Sequence, residues 1–253
     1  MKIWTLSDLH IDSNHTDDLD LGAHPDCDAI IMSGDLCDGG YTDPSEWLLS
    51  EFFDDERAKL LFVAGNHEAY GQGLDLVPDY LTRLADRTGI QILHRSIIEI
   101  AGQRFVGAPL WSDFSPRLDE HWSDKGDFAA VPDLTPDSWR AEHRCDRTWL
   151  EDVIQAGDVV ITHHAPSFEG LATEMQQNIQ MRMLSSGYYT DLEDLIVDRA
   201  PALWVHGHTH VTRKYAVGAT RMVTNARGRG RNYNFDPGLV VEIDTYAPPP
   251  PGL

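Results

Sequence analysis

An acidic residue and a histidine stand two positions apart directly after the first apolar segment of the chain. The segment from Lys2 to Leu6 is short and apolar, which predicts a buried strand, and Asp8 and His10 follow it. Because an extended backbone turns residues i and i+2 to the same side, both side chains are expected to face one point. A carboxylate oxygen together with an imidazole nitrogen suits a transition metal. The pair therefore predicts part of a metal site.

Four further apolar segments end in residues with the same ligand chemistry. These residues are Asp35, Asn66, His163, and the pair His208 and His210. In open α/β sheets, binding sites form outside the carboxyl ends of the strands, so the five strand ends are expected to meet at one edge. Seven ligands are too many for one tetrahedral ion. They suit two ions about 3.5–4 Å apart that share a bridging carboxylate, an arrangement that clamps the attacking and leaving oxygens in phosphoryl hydrolysis.

The composition limits the classes of partner. The chain has 253 residues, enough to bury one core, and its formal net charge is -21, from 41 acidic and 20 basic residues. This charge disfavours non-specific attraction to nucleic acid or to anionic lipid, but bound divalent cations can reverse the local field for an anionic substrate.

No apolar run reaches the ~18 residues that a membrane span needs, and no secretory signal is visible, so we expect a cytoplasmic protein. The chain has three cysteines, none of which forms a C-x-x-C pair, so we expect them to be reduced thiols: Cys27, Cys37 and Cys145.

The predicted elements bring these strand ends into one fold. Strands and helices alternate over the first part of the chain and consecutive strands follow, so we expect a mixed α/β fold with two sheets. Helices are predicted from Pro44 to Phe53, Leu76 to Thr88, Pro136 to Ala156 and Asp191 to Asp198, and the closing strands from Thr220 to Thr224 and Leu239 to Ile243. Residues 1–246 are expected to form one domain, in which the long stretches 111–140 and 169–190 are predicted to be lid insertions. The proline-rich tail 247–253 is expected to be disordered.

Five sequence motifs occur in the order found in a known enzyme family. They are Asp8-x-His10, Gly34-Asp35-x-x-Asp38, Gly65-Asn66-His67-Glu68, Thr162-His163 and Gly207-His208-x-His210. With these motifs, which span positions 8 to 210, the chain resembles the calcineurin-like metallophosphoesterases. The resemblance implies a four-layer α/β/β/α sandwich of two mixed β-sheets flanked by helices, with a dinuclear metal centre at the C-terminal strand ends. It also implies a hydrolase that acts on phosphoester bonds.

The same resemblance assigns a role to each motif residue. Asp8, His10 and His210 would hold the first metal ion, Asn66, His163 and His208 the second, and Asp35 would bridge both. Two ions lower the pKa of a shared water, and the hydroxide so formed would attack phosphorus in line. His67 would protonate the leaving oxygen or stabilise charge there, and Glu68 would orient His67. Manganese is the favoured metal, although iron, zinc, cobalt and nickel accept the same ligands.

Two positions depart from related phosphatases. Gly39 stands where the protein serine/threonine phosphatases have an arginine directly after the second aspartate, which disfavours a protein substrate. Asp38 stands where the purple acid phosphatases have a metal-bound tyrosine, which disfavours a redox-active iron site. Asp38 is instead expected to orient a ligand histidine. A small phosphomonoester or phosphodiester is therefore the expected substrate.

Several alternatives stay open at the level of the sequence. His164 competes with its neighbour His163 for the ligand position. The cluster of Arg227, Arg229 and Arg231 is either a phosphate-binding site or a solvated turn between strands.

A metal-dependent nuclease is a second hypothesis for the function, which the net charge of -21 disfavours because nucleic-acid binding needs a basic track. A non-catalytic binding module on the same fold is a third. The sequence specifies neither the oligomeric state nor a mono- or diester preference.

Overall fold

Two β-sheets form the centre of the computed structural model, which describes residues 1–12, 19–52, 58–115, 126–177, 185–229 and 234–244. The strands are β1 (Lys2–Leu6), β2 (Ala29–Ser33), β3 (Lys59–Val63), β4 (Gln91–Ile92), β5 (Ser96–Ile100), β6 (Gln103–Gly107), β7 (Val159–Ile161), β8 (Leu203–His206), β9 (Thr212–Val217), β10 (Thr220–Asn225) and β11 (Val240–Glu242). The first sheet has the order β11-β1-β2-β3-β4 and the second the order β5-β6-β7-β8-β10-β9. Both sheets are mixed, because β11, β5 and β9 run antiparallel to their neighbours while the inner strands are parallel.

Helices cover the outer face of each sheet. The α-helices of the described residues are α1 (Ser45–Phe52), α2 (Val77–Thr88), α3 (Asp127–Ala130), α4 (Pro136–Val153), α5 (Thr173–Gln176) and α6 (Glu193–Arg199). Apolar residues of α1 and α2, such as Leu48 and Leu81, pack on the first sheet. Leu150 of α4 and Ile196 of α6 pack on the second sheet. The sheets are therefore enclosed on both faces, which explains why their inner strands are apolar throughout.

Alternating side chains of the strands separate the layers. In β1, Ile3 points into the apolar layer between the two sheets, whereas Trp4 points to the helices on the outer face. In β2, Ile31 and Met32 divide in the same way. This is the period of two that an extended strand imposes on its side chains. The four-layer α/β/β/α sandwich predicted from the sequence is confirmed.

The elements differ from the sequence predictions mainly at an edge strand. β9 was not predicted, because it lies at the edge of the second sheet and its residues 212–217 mix charged side chains with half-buried ones. The stretch 111–140, predicted to be a lid insertion, contains α3, which was not predicted, in addition to the start of the predicted helix α4. Residues 116–125 of that stretch, residues 178–184 of the second insertion and the whole tail 247–253 lie outside the described residues, so the lid and the disordered tail stay predictions.

Candidate metal centre

The predicted ligands converge at one edge of the two sheets. The first group consists of Asp8, His10, Asp35 and His210, and the second of Asp35, His163 and His208; within each group the ligand atoms lie within 4.8 Å of one another. Asp35 belongs to both groups, as expected of a bridging carboxylate. Asn66 joins the second group, because its Oδ1 lies 3.0 Å from His163 Nε2. All seven side chains named from the sequence are therefore brought together.

Strained backbone positions several of these side chains. Five of the seven residues have a positive φ, namely Asp8 (53°), His10 (44°), Asp35 (55°), His208 (65°) and His210 (51°). Residues other than glycine rarely adopt this conformation, and it persists where the surrounding structure enforces it, often at functional sites. The loop after β1 is held by backbone hydrogen bonds from Asp8 N to Gly34 O (2.9 Å) and from His10 N to Asp35 O (3.1 Å). These bonds tie the loops after β1 and β2 together.

Two glycines allow the loops to approach this closely. A Cβ atom on Gly65 would overlap the Asp35 carboxylate and lie 2.7 Å from the His163 ring. A Cβ atom on Gly207 would overlap Ser7 Oγ and lie 2.5 Å from Asp8 Oδ2. Glycine is the residue that permits such contacts between backbone and side chain. The two glycines of the motifs are therefore required by the packing of the site itself.

The charge distribution of the first group suits a divalent cation. Burial alone would raise the pKa of Asp8, but the hydrogen bond and charge of His210 lower it to about 2. Burial lowers the pKa of His10 to about 4, although Asp35 opposes the shift. The Nε2 atoms of His10 and His210 lie 3.3 Å apart, and His210 Nε2 is 3.2 Å from Asp8 Oδ1. Ligand atoms that surround one ion at about 2.1 Å are separated by roughly 3–3.5 Å, so these residues fit a metal ion.

In the second group, the side-chain oxygens of Asn66 and Asp35 both lie close to one ring nitrogen of His163. His163 Nδ1 donates a hydrogen bond to Ser33 O (2.7 Å), which leaves its Nε2 facing Asn66 Oδ1 and, at 3.3 Å, Asp35 Oδ1. Burial alone would lower the pKa of His163, but the Asp35 carboxylate raises it to about 10. A proton at Nε2 therefore occupies the position that suits a metal ion. Burial also lowers the pKa of His208 to about 3, which keeps its imidazole neutral.

The geometry favours His163 over His164 as the ligand. His164 is buried, and its ring lies tilted against those of His208, at 4.0 Å between centroids, and of Trp111, at 5.4 Å. It belongs to neither group of candidate ligands among the described residues. His164 therefore packs against the ring of His208.

His67 lies beside Asp35, the residue shared by the two groups of candidate ligands. Its Nδ1 donates to Asp38 Oδ1 (2.6 Å), and its Nε2 lies 3.8 Å from Asp35 Oδ2. Burial alone would lower the pKa of His67, but Asp35 and Asp38 together raise it. The Nε2 atom of His67 therefore faces the centre from a fixed ring orientation. Arg229 Nη2 lies 3.4 Å from His67 Nδ1, at the rim of the site.

The expected role of Glu68 is wrong. Its carboxylate is buried and accepts hydrogen bonds from three backbone N–H groups, those of Asp35 (3.1 Å), Leu36 (2.8 Å) and Gly65 (2.6 Å). Glu68 thus braces the loops after β2 and β3, and Asp38 is the residue that orients His67. Asp38 was expected to orient a ligand histidine, and it instead holds the histidine proposed as the acid.

A cleft of about 400 Å³ opens beside the site. It is lined by Asp35, Asn66, His67, Tyr70, Phe114, Gly126, Asp127, Phe128, Trp139, Met175, Gly187, Tyr188, His208, Thr209 and His210. Its aromatic wall comes from both predicted insertions, and Trp139 is stacked on Phe128 at 5.3 Å between centroids. Three lining residues were not predicted from the sequence, because none of them belongs to a motif or follows a strand: Tyr70, Asp127 and Tyr188.

The arginine cluster divides into different roles. Arg227 is buried and its Nη1 donates to Leu9 O (2.7 Å), which ties the loop after β10 to the loop after β1. Arg229 is exposed and lies beside His67. Arg231 lies outside the described residues. Only Arg229 is therefore placed to meet a substrate among the two arginines described.

Known proteins share both the motifs and the fold. The family model described as calcineurin-like phosphoesterase matches residues 1–212. An uncharacterised protein of Acanthamoeba polyphaga mimivirus is 26% identical over 209 residues, which cover 74% of either chain. The fold is similar to that of phosphopantetheinyl hydrolase from Mycobacterium tuberculosis, with a TM-score of 0.72 and 21% identity over 98% of both chains. Among the described residues, none of the helices combines the length and the apolar character that crossing a bilayer demands. The chain belongs to the calcineurin-like phosphoesterases, a family of metal-dependent enzymes that hydrolyse phosphoesters.

Proposed function

We propose that the protein hydrolyses a small organic phosphomonoester or phosphodiester at a dinuclear metal centre. The observation that carries the proposal is the membership of Asp35 in both groups of candidate ligands. A carboxylate with one oxygen toward each group is the element that a two-ion site needs and a one-ion site does not. The nearly complete burial of Asp35 adds support, because a buried carboxylate is costly unless cations compensate it.

The donor set determines which ions the site would accept. Asp8, His10 and His210 would hold one ion, Asn66, His163 and His208 the other, and Asp35 both. Divalent ions bound there would supply an activated water and neutralise charge on the phosphoryl oxygens. We propose manganese, with iron, zinc, cobalt or nickel as alternatives, since mixed carboxylate, amide and imidazole ligands accept all of them.

His67 would serve as the proton donor to the leaving oxygen. Its Nδ1–H is held by Asp38, and against the lowering effect of burial the Asp35 and Asp38 carboxylates raise the pKa of His67, which favours the protonated ring that an acid needs. Protonation of the leaving oxygen by a positioned side chain contributes roughly 10²–10⁴-fold to such reactions. Asp38 would act through His67 by fixing the orientation of the ring.

The cleft and the charge favour a small substrate. An aromatic wall that includes Phe114, Phe128 and Tyr188 suits an apolar or planar organic group beside the reacting phosphate. Arg229, the exposed guanidinium near His67, would hold a phosphate oxygen in place of the arginine that Gly39 replaces. The net charge of -21 argues against nucleic acid and against an anionic membrane surface as partners.

The test is hydrolysis by the manganese-loaded protein. Para-nitrophenyl phosphate and bis-para-nitrophenyl phosphate separate monoesterase from diesterase activity, and a phosphopantetheinyl diester is included because the protein of similar fold is named for that substrate. Asp35→Ala should abolish turnover, and His67→Ala should lower kcat by roughly 10²–10³-fold while the metal content is retained. Labelled DNA and RNA should remain intact. Absence of turnover with every ester and every metal would overturn the proposal, and rapid cleavage of nucleic acid would support the nuclease hypothesis instead.

A further inference from the structure

A carboxylate from the first insertion reaches the amide of Asn66. Asp127 opens α3, and its Oδ1 accepts hydrogen bonds from Asn66 Nδ2 (2.6 Å) and from the hydroxyl of Tyr70 (2.6 Å). The Tyr70 hydroxyl also lies 3.5 Å from Asn66 Nδ2. Asp127 stands 61 positions after Asn66 and belongs to none of the five motifs. The amide thus touches the metal-facing group with one end and the insertion with the other.

An asparagine amide has two ends with opposite hydrogen-bonding character. The nitrogen only donates and the oxygen only accepts, so a 180° flip of the amide group exchanges an acceptor for a donor at the same place. Tyr70 donates its hydroxyl hydrogen to the same Oδ1 that receives the amide nitrogen of Asn66. Because Oδ1 of Asp127 acts as the acceptor, the amide nitrogen is drawn to the insertion. The oxygen of Asn66 is then left facing His163 Nε2 at 3.0 Å.

We propose that Asp127 is a positioning residue that presents Asn66 Oδ1 to the second metal ion, with Tyr70 as its support. The proposal rests on the proposed function, in which Asn66 is a ligand. Partners behind a metal ligand orient it, and their removal typically lowers metal affinity 10–100-fold. The first insertion therefore contributes to the metal centre as well as to the wall of the cleft. Asp127 itself does not touch the substrate's reacting atoms in this proposal.

Manganese binding to the metal-free protein tests this inference without reference to turnover. A calorimetric titration of the wild-type chain should show two ions per chain. Asp127→Ala should weaken one of the two binding steps 10–100-fold and leave the other unchanged. Asp127→Asn, whose side-chain oxygen can still accept from the Asn66 amide, should stay within about threefold of the wild type. Tyr70→Phe, which removes one hydroxyl, should weaken the same step by a few-fold.

Two controls separate positioning from a general loss of charge or structure. Asp137→Ala removes a carboxylate of the same insertion whose side chain is 97% exposed, and it should bind both ions as the wild type does. In an Asn66→Ala background, which has already lost the ligand, Asp127→Ala should cause no further weakening. If Asp127→Ala does not fold, as judged by circular dichroism, Asp127→Asn and Tyr70→Phe carry the test.

Each outcome decides between the two proposals. Two ions bound by Asp127→Ala as tightly as by the wild type would overturn the positioning role alone. Equal weakening in Asp127→Asn and Asp127→Ala would also overturn it, because charge rather than orientation would then matter. A wild-type chain that binds fewer than two manganese ions would instead overturn the dinuclear centre on which the inference rests.

Discussion

The two halves of the metal centre are held in place by different means. In the first half, Asp8, His10 and His210 all have left-handed backbone, and the side chain of His210 is 40% exposed. In the second half, His208 also has left-handed backbone, but Asn66 and His163 are buried and are oriented by hydrogen bonds to Asp127 and to Ser33 O. The first half therefore depends mainly on the path of the loops, and the second depends also on the partners behind Asn66 and His163.

This difference indicates which changes each half tolerates. Backbone strain is imposed by many surrounding contacts, so no single side-chain substitution is expected to release it. An oriented amide or imidazole depends on one or two hydrogen bonds, and loss of one of them frees the ring or the amide to turn. Point substitutions in the surrounding residues should thus affect the second ion more than the first.

Asp35→Asn should have the largest effect, because Asp35 is the one residue that both halves share. The amide has a single oxygen and cannot bridge, and loss of a charge-stabilising interaction worth several kcal/mol corresponds to roughly 10³-fold or more in kcat/KM. Metal analysis should find at most one ion per chain. Two retained ions with near-normal turnover would remove the basis for a shared carboxylate.

Glu68→Gln should follow, with an effect on stability and on both halves at once. The amide nitrogen of glutamine cannot accept a hydrogen bond, so at least one of the three backbone N–H groups would lose its partner. A buried unsatisfied polar group costs about 1–3 kcal/mol, which should appear in the free energy of unfolding from urea titration. Glu142→Gln, a half-exposed partner of Arg95, serves as the matched control and should change stability little.

Chelation should separate the halves by rate. The partly exposed His210 gives solvent access to the first ion, whereas the side chain of His163 is buried. During dialysis of the manganese-loaded protein against EDTA, the metal content should fall to one ion per chain before the second ion leaves. Simultaneous loss of both ions, or a variant His210→Ala that still starts with two, would contradict the assignment of the halves.

Arg229→Ala should have the smallest effect. If the guanidinium holds a phosphate oxygen at the rim of the site, its removal should raise KM roughly three- to tenfold with kcat nearly unchanged, because an exposed ionic contact is weakened by solvent. Arg221→Ala supplies the control, since Arg221 is also exposed, lies near the start of β10 and donates to Glu242 O. An unchanged KM would assign Arg229 to the solvated-turn alternative.

The sequence was informative wherever ligand and element are neighbours in the chain. Asp8, Asp35 and His163 each follow a short apolar segment, and a strand of that kind ends where its apolar residues end. The parallel arrangement of those strands then brings their ends to one edge. The same apolar segments predicted a mixed α/β fold with two sheets, and the resemblance implied the four layers, whereas the edge strand β9 escaped prediction because one side of it faces solvent.

The partners of the ligands were decided by the tertiary structure. Glu68 is next to His67 in the chain, but its side chain binds the backbone of the loop after β2. Asp38 instead holds the ring of His67, a role that was predicted for Glu68. Asp127 meets Asn66 across 61 positions, inside a stretch with no period or motif to mark it. A strand imposes a side-chain direction through its own backbone, so local sequence predicts it. A hydrogen bond between two loops depends on how every intervening element packs, and that information is spread over the whole chain.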